Sequence, residues 1–132
     1  MMNEVIISVG SNIKPQLNVR LAQKYISEIT DFIKASGFYV TKPMDYLEQP
    51  DFFNGAFLIN TKFDYEELNA WLKKIELKQG RIKTENKAGP RCIDLDIIVW
   101  NGEIIDDTFY KWNFIKKVVL ELKPELEYKE HE

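Results

Sequence analysis

A basic segment leads directly into a predicted strand in RIKTENKAGPRCIDLDIIVW, residues 81–100. Between residues 81 and 91, four cations stand against one anion, which gives a local charge of +3. The four cations are Arg81, Lys83, Lys87 and Arg91. Because Arg and Lys side chains bind phosphate oxygens, a local charge of this kind favours a small anionic ligand over a long polyanion.

The strand that follows the basic segment carries two aspartates two residues apart. Side chains alternate between the faces of a strand, so Asp94 and Asp96 point the same way, about 6.5 Å apart along the strand. Leu95 points to the opposite side, towards a core. By the same alternation, Ile98 and Trp100 are expected to share the face of the aspartates, which would make that face apolar except for two carboxylates.

A divalent cation gives a reason for two like charges on one face, because uncompensated buried charge is expensive. Mg2+ prefers oxygen ligands and commonly takes one or two carboxylates together with substrate phosphates. Two Mg2+ ions about 4 Å apart would fit between Asp94, Asp96 and a polyphosphate. The alternative is a solvent-facing strand edge whose aspartates deter aggregation. The four cations just upstream favour the metal.

The composition of the chain limits its class. The 132 residues and 15.6 kDa indicate one domain, 1–132, and 45% hydrophobic residues can build a core. A net charge of −3 gives no indication of general affinity for nucleic acid or membranes. One cysteine rules out an internal disulfide, and neither a bilayer-spanning run nor a signal peptide is evident. We expect a cytoplasmic monomer or weak homodimer whose partners are small molecules.

The first half of the chain predicts a strand, a helix and two further strands. The apolar run of residues 5–9 predicts the first strand. Leu17, Leu21, Tyr25, Ile29 and Ile33 recur every fourth residue, which predicts an amphipathic helix, with the glycine at position 37 as its C-terminal cap. The apolar stretches at 38–41 and within 53–63 predict the second and third strands.

The second half begins with the spacing of a capping box. Asp64 precedes Glu67 by three residues and predicts the start of a second helix. Asn101-Gly102 predicts a tight hairpin after the aspartate strand, and residues 114–122 predict a short helix. The order β-α-β-β-α-β is that of a ferredoxin-like α+β sandwich, an antiparallel sheet with two main helices on one face.

The motif GPRCIDLDI, residues 89–97, resembles the signature of the 6-hydroxymethyl-7,8-dihydropterin pyrophosphokinase family, Gly-Pro-Arg-x-(Leu/Ile)-Asp-Leu-Asp-Ile. Gly-Ser-Asn at 10–12 and Gln-Pro-Asp-Phe-Phe-Asn at 49–54 resemble two further family motifs. The resemblance implies the ferredoxin-like fold of the family. It also implies Mg2+-dependent transfer of pyrophosphate from ATP to the hydroxymethyl group of the pterin, in folate biosynthesis.

The resemblance also assigns residues to the pterin. It implies that an aromatic ring at 52 stacks on the pterin and that the amide at 54 bonds its edge, which suits a flat heteroaromatic ligand. The substrate-binding residues that it implies are Thr41, Lys42, Met44, Phe52, Asn54 and Phe114. Considered without the resemblance, the sequence favours the alternative, in which Phe52 is a core residue and Asn54 a polar residue at a strand edge.

For the nucleotide, the resemblance implies a site on the second helix, the basic segment and the aspartate strand. The ATP-binding residues that it implies are Glu76, Arg81, Lys83, Lys87, Arg91 and Ile97, and the catalytic residues are Arg81, Arg91, Asp94 and Asp96. The two aspartates are also the metal ligands. For Glu76, the alternative is a solvated helix face.

Several positions depart from the family pattern. Lys87-Ala88 stands where the family has Arg-Trp, and no His or Arg lies between Asp106 and Phe114, where the family has both. The sequence is also shorter than is usual in the family. These departures keep a second function open, in which the chain is a weakly active or inactive pterin-, nucleotide- or partner-binding protein on the same fold.

Overall fold

The computed structural model of the chain describes residues 2–43, 48–80 and 92–129. The elements in chain order are β1 (Asn3–Ser11), α1 (Pro15–Ile29), β2 (Asp31–Ala35), β3 (Tyr39–Thr41), β4 (Phe52–Thr61), α2 (Tyr65–Lys78), β5 (Asp94–Trp100), β6 (Glu103–Ile104), α3 (Thr108–Lys111) and α4 (Asn113–Leu122). Within the described ranges, no helix is both long and apolar enough to cross a membrane.

The strands form one antiparallel sheet in the order β2-β4-β1-β5-β6, with β3 also paired to β4. Helices α1 and α2 cover one face, where Val5, Ile7 and Val9 of β1 pack with Ala22 of α1 and Leu72 of α2. This is the strand order of a ferredoxin-like sandwich, and the predicted fold with two main helices on one face is confirmed.

The opposite face of the sheet is covered over part of its length by α3 and α4. Ile6, Leu58 and Ile98 from three neighbouring strands pack with Phe109 and Val118 in this second cluster. Its residues lie at one end of the sheet face. The other end of the same face carries polar side chains, so the second cluster leaves room there for a site.

The first helix is shorter than the sequence periodicity predicts. Helix α1 ends where Thr30 adopts an extended conformation and its N–H bonds the Ile26 carbonyl. The residues that continue the helical spacing form β2, because Phe32 packs edge-on against Phe57, at a ring-centroid distance of 5.1 Å. The predicted helix through residue 33 and its glycine cap at 37 are therefore wrong, and Ile33 is 46% exposed.

Strand β5 contains a bulge that changes the face of its last residue. Ile6 pairs with Val99 whereas Ile7 pairs with Ile97, so Ile98 is an extra residue on β5. Trp100 consequently packs on the helical face and meets Tyr65 edge-on, with ring centroids 6.0 Å apart. The prediction that Trp100 shares the face of the aspartates is wrong, whereas Ile98 does share it.

Two local predictions are confirmed, one by its hydrogen bonds and one by its backbone angles. The Asp64 carboxylate accepts from the Glu67 N–H at 2.8 Å, and the Glu67 carboxylate accepts from the Asp64 N–H at 3.1 Å, which completes the capping box. Asn101 and Gly102 have φ of 49° and 82°, as a tight hairpin between β5 and β6 requires.

Candidate functional site

At the polar end of the sheet face, paired residues of three neighbouring strands, β4, β1 and β5, form a row across the sheet. Gly10 of β1 pairs with Asn54 of β4 on one side and with Asp94 of β5 on the other. The next row pairs Ser8 with Asp96. Because adjacent strands lie about 4.8 Å apart, Asn54 and Asp94 stand roughly 10 Å from each other across the glycine.

Gly10 keeps the middle of this row open. A β-carbon at position 10 would lie 2.5 Å from Oδ1 of Asn54 and 4.0 Å from the ring of Phe52. Asn54 is itself held, because its Nδ2 donates to the Thr41 hydroxyl oxygen at 2.5 Å. The glycine therefore lets the backbone of β1 approach the amide closely, and β3 fixes the orientation of that amide.

Phe52 and Phe53 have different surroundings although they are adjacent. Phe53 packs on the helical face beside Phe38, with ring centroids 5.3 Å apart. Phe52 lies on the same face as Asn54 and is half-buried, and neither hydrophobic cluster of the described residues includes it. The interpretation of Phe52 as a core residue is therefore not supported. Its ring lies at the polar end of the sheet.

The loop that precedes β4 is attached to the end of β1. The Asn12 amide donates to the Gln49 side-chain oxygen at 2.7 Å and to the Pro50 carbonyl at 3.1 Å. Asn12 and Gln49 are only 5% and 7% exposed. This buried contact fixes the entry of β4, and with it the start of the strand that carries Phe52 and Asn54.

Asp96 is in a strongly acidic environment. Burial raises the pKa of Asp96 from 3.8 to about 6, and the neighbouring Asp94 carboxylate adds to the rise. Glu76 and Asp106 raise this pKa further, and the ammonium of Lys73 opposes them. A cation held between Asp94 and Asp96 would relieve this repulsion. The two carboxylates therefore fit the hard, oxygen-seeking Mg2+.

The number of carboxylates also bears on the kind of metal site. Among the residues that the structure describes, no three His, Cys, Asp or Glu side chains converge as a metal-binding group. Mg2+ commonly takes one or two carboxylates together with substrate phosphates and water, so the pair Asp94 and Asp96 is compatible with such a site.

The raised pKa of Asp96 predicts a pH-dependent stability. The folded state binds the Asp96 proton more tightly than the unfolded chain, so the free energy of unfolding decreases as pH rises through the window from about 3.8 to about 6. Asp96→Asn removes that penalty. Because the side chain is 46% exposed, we expect a gain of only about 1 kcal/mol, well below the full linkage value.

Urea denaturation in the presence of EDTA measures this gain. The variant should exceed the wild type near pH 7.5 and lose its advantage below about pH 3, where the wild-type carboxyl is protonated in both states. Equal free energies of unfolding at neutral pH would contradict the assignment of repulsion to Asp96.

Two side chains of α2 cover the outer edge of β5. Glu76 is 1% exposed, and its carboxylate accepts from the Leu95 N–H at 2.7 Å. Lys73 lies 3.3 Å from the Leu95 carbonyl and 3.4 Å from the Glu76 carboxylate. The residue between the two aspartates is thus fixed by α2. The interpretation of Glu76 as part of a solvated helix face is wrong.

The residues that flank the basic segment, Gly80 and Cys92, lie close together. Gly80 closes α2 with φ of +100°, and a β-carbon there would lie 3.6 Å from Sγ of Cys92. Cys92 precedes Asp94 by two residues. Arg81, Lys83, Lys87 and Arg91 themselves lie outside the described residues, as does Met44.

Comparison with known families identifies the chain. The model of the family described as 7,8-dihydro-6-hydroxymethylpterin-pyrophosphokinase matches residues 6–124. The chain belongs to this family. The match includes all of the sheet rows described above and both aspartates, so the resemblance inferred from the motifs is confirmed over most of the sequence.

Several curated proteins resemble the chain at 30–38% identity. The 2-amino-4-hydroxy-6-hydroxymethyldihydropteridine pyrophosphokinase of Haemophilus influenzae is 36% identical over 104 residues, which cover 76% of this chain and 64% of that protein. The corresponding enzyme of Pseudomonas aeruginosa is 30% identical over 109 residues, 80% of this chain and 67% of the enzyme. Folic acid synthesis protein fol1 of Pneumocystis carinii is 38% identical over 104 residues, 77% of this chain but 14% of that protein.

The remaining residues implied by membership of the pyrophosphokinase family lie in different surroundings. Ile97 is 4% exposed and packs in the helical-face core, so its side chain is not open to a nucleotide. Lys42 is exposed. Phe114 lies in the first turn of α4, stacked with Trp112 at a ring-centroid distance of 5.8 Å.

Sequence analysis did not single out two residues of the candidate site. Gly10 was quoted only as part of the Gly-Ser-Asn motif at 10–12, although it lies inside β1 and separates Asn54 from Asp94. Lys73 was not singled out, although it precedes Glu76 by three residues and so shares its helix face. That spacing is visible in the sequence, but its contact with Asp96 depends on how α2 packs against β5.

Proposed function

We propose that the chain transfers pyrophosphate from ATP to the hydroxymethyl group of 6-hydroxymethyl-7,8-dihydropterin. The pterin hydroxyl oxygen attacks the β-phosphorus, the bond from that phosphorus to the α-phosphate oxygen breaks, AMP leaves, and the hydroxyl proton is lost. Membership of the pyrophosphokinase family and the names of the relatives support this reaction.

The observation that carries the proposal is the row Asn54–Gly10–Asp94 across three strands. It puts a group suited to a heteroaromatic edge and a group suited to a cation roughly 10 Å apart on one sheet face. This separation is comparable with the length of a bicyclic pterin that bears a hydroxymethyl group. A ligand bound at Asn54 would therefore present its hydroxyl near the acidic pair.

The pterin end of the site consists of Phe52, Asn54 and Thr41. The ring of Phe52 offers an apolar face for a planar ligand, and the Asn54 amide offers both a donor and an acceptor to its edge. The bond from Asn54 to Thr41 sets the orientation of the amide before the ligand arrives, so less rotamer entropy is lost on binding.

At the other end, Asp94 and Asp96 would hold Mg2+, two ions in our proposal. When bound, Mg2+ neutralises charge on the polyphosphate and helps to align it. The Glu76 carboxylate fixes the main chain between the two aspartates through the Leu95 N–H, so the carboxylates are held at the spacing of a regular strand. The remaining phosphate charge is assigned to the basic segment, 81–91, which precedes β5 in the sequence.

The test is AMP release from ATP in the presence of the hydroxymethyl pterin, with and without Mg2+. We expect release that requires all three components. The absence of AMP release at millimolar substrates, with calorimetry still showing pterin binding, would instead indicate a non-catalytic binding protein. A cytoplasmic location and a monomeric or weakly dimeric state are further parts of the proposal, to be measured by fractionation and sedimentation.

Gly10→Ala is expected to weaken pterin binding by about tenfold. The new methyl would force Asn54 to leave its position over β1, and loss of one hydrogen bond is worth about 1 kcal/mol with a further cost for the displaced rotamer. Calorimetric titration of the pterin measures the change.

Gly55→Ala is the matched control for this substitution, because its β-carbon would meet the Phe38 ring at 2.6 Å on the helical face. It should cost stability and leave pterin affinity nearly unchanged in the folded fraction. Wild-type affinity in Gly10→Ala would show that Asn54 does not hold the ligand.

A further inference from the structure

Lys73 has an unusual position on α2, because its side chain reaches round the outer edge of β5. Its Nζ lies 3.3 Å from the Leu95 carbonyl, 3.4 Å from Glu76 and 3.7 Å from Oδ1 of Asp96. These distances exceed the 2.7–2.9 Å that is usual for a charge-assisted hydrogen bond. The ammonium therefore lies among three acceptors without a short bond to any of these three.

Glu76 behaves differently, although it shares the helix face with Lys73. Its side chain is 2% exposed, and its carboxylate is committed to the Leu95 N–H at 2.7 Å. The Lys73 side chain, by contrast, is 44% exposed. Glu76 thus provides a fixed point beside the Lys73 ammonium, whose flexible four-carbon stem permits other rotamers.

The charges around Lys73 are mostly negative. Asp94 and Asp96 lie on adjacent positions of one strand face, and Glu76 and Asp106 also act electrostatically on Asp96. The neighbouring lysines of α2 lie elsewhere, since Lys74 sits 4.8 Å over the Trp71 ring and Lys78 sits 4.2 Å over the Tyr25 ring. Of these three lysines of α2, Lys73 is therefore the one placed beside the acidic pair.

From this geometry we infer that Lys73 is a built-in counter-ion of the acidic pair, which competes with the divalent cation for Asp96 and so sets the cation affinity of the site. Lys73 is a positioning residue in this role, because it acts through Asp96. The inference rests on the metal site of the proposed function. It predicts that removal of the lysine charge tightens cation binding, whereas a merely structural role predicts no change or a loss.

The expected size of the effect follows from the exposure of the pair. Ion pairs at this level of exposure contribute up to about 1 kcal/mol, which corresponds to roughly two- to fivefold in affinity. The contribution is screened by salt, so the effect should be largest at low ionic strength. The dissociation constant for the cation should therefore decrease two- to fivefold when the charge is removed, and by less in high salt.

The experiment titrates the apo protein with MnCl2 alone, followed by calorimetry or by the electron paramagnetic resonance of free Mn2+. Lys73→Met removes the charge and keeps the apolar stem, and Lys73→Gln removes the charge but keeps a donor for Glu76 and Leu95. The second variant keeps the test valid if the first folds poorly. Both should bind Mn2+ two- to fivefold more tightly than the wild type at low salt.

Two controls separate charge from structure. Lys73→Arg keeps the charge and should bind Mn2+ like the wild type. Lys74→Met removes an equivalent charge one residue away and should also leave the affinity unchanged. Thermal unfolding gives an independent readout, because the two neutral Lys73 variants should gain more melting temperature from saturating Mn2+ than the wild type does.

The variant Asp94→Asn distinguishes failure of the Lys73 inference from failure of the proposed metal site. If Mn2+ binding depends on Asp94 but is unchanged or weakened in folded Lys73→Gln, the competition inference is wrong and the metal site stands. If the wild type and Asp94→Asn bind Mn2+ equally, the metal site of the proposed function is wrong, and the inference falls with it. An equal tightening in Lys74→Met would show a general charge effect and would also overturn the role of Lys73.

Discussion

Asp94→Asn and Asp96→Asn are each expected to reduce AMP release by at least about a thousandfold while the fold remains intact. Neutralising the charge that develops on transferring phosphates is worth several kcal/mol, and about 4 kcal/mol corresponds to three decades in rate. Each asparagine keeps the size of the side chain but replaces an anionic oxygen by an amide, which is a poor Mg2+ ligand. Steady-state assays with saturating ATP and pterin measure the loss.

Asp106→Asn is a suitable control for this loss. Asp106 also acts electrostatically on Asp96. However, its Oδ1 accepts hydrogen bonds from the N–H and the hydroxyl of Thr108, the first residue of α3, at 2.9 and 2.8 Å. The amide oxygen of asparagine can keep those two bonds. We expect Asp106→Asn to retain activity within a few-fold of the wild type.

Stability measurements test whether the aspartate variants lose activity because they misfold. Because Asp96→Asn relieves repulsion in the apo protein, the inactive variant should be at least as stable as the wild type at neutral pH, which excludes misfolding as the cause of its inactivity. More than about a tenth of wild-type turnover in either aspartate variant would show that the two carboxylates are not the ligands that the reaction requires.

The parts of the fold that were predictable from the sequence are those fixed by local chemistry. The capping box at Asp64 and the Asn101-Gly102 hairpin depend on residues within four positions of each other, and both are present. The aspartate strand was predictable because strict alternation leaves few other conformations for its sequence. The common face of Asp94 and Asp96 followed from the same alternation.

The parts that were missed depend on contacts distant in sequence. Ile33 continues a helical spacing by coincidence, and what makes its neighbourhood a strand is the main-chain pairing of β2 with β4 and the contact of Phe32 with Phe57. The face of Trp100 is set by a bulge opposite Ile6 and Ile7, about ninety residues earlier. No local pattern in either segment encodes these partners.

Some features of the candidate site were likewise predictable from local sequence, and others depend on contacts distant in sequence. The residue types at 52, 54, 94 and 96 were identified from motifs, but their assembly into one row required the register of three strands. The buried Glu76 was the least predictable, because a glutamate on a helix surface is usually solvated. Only the packing of α2 on β5 shows that this carboxylate satisfies the N–H of Leu95.

The structure is also compatible with the alternative function, a pterin-binding protein that does not catalyse phosphate transfer. Phe52 and Asn54 could hold a pterin whether or not phosphate transfer follows. The enzyme is expected to release AMP in a Mg2+-dependent reaction, whereas the binding protein is not. Both are expected to bind the pterin. A loss of pterin affinity in the Asn54 variant below is expected under both.

Asn54→Leu is expected to weaken pterin binding by about one to two decades. The substitution keeps the volume of the side chain but leaves the polar edge of the ligand unpaired, at about 1–3 kcal/mol, and it also removes the donor to Thr41. Asn60→Leu is the matched control. Asn60 lies on the same face of β4, six residues and roughly 20 Å away, where it pairs with Glu4 and Asp31.

Phe52→Ala tests the other half of the same pocket. Loss of the ring should weaken pterin binding by about 1 kcal/mol from stacking, beyond the loss of buried area. Phe53→Leu should instead lower stability and leave the affinity unchanged, because Phe53 packs against Phe38 on the opposite face. If Asn54→Leu and Phe52→Ala both bind the pterin with wild-type affinity in calorimetric titrations, then the pterin does not bind in the row between β4 and β5, and the pocket must be sought elsewhere.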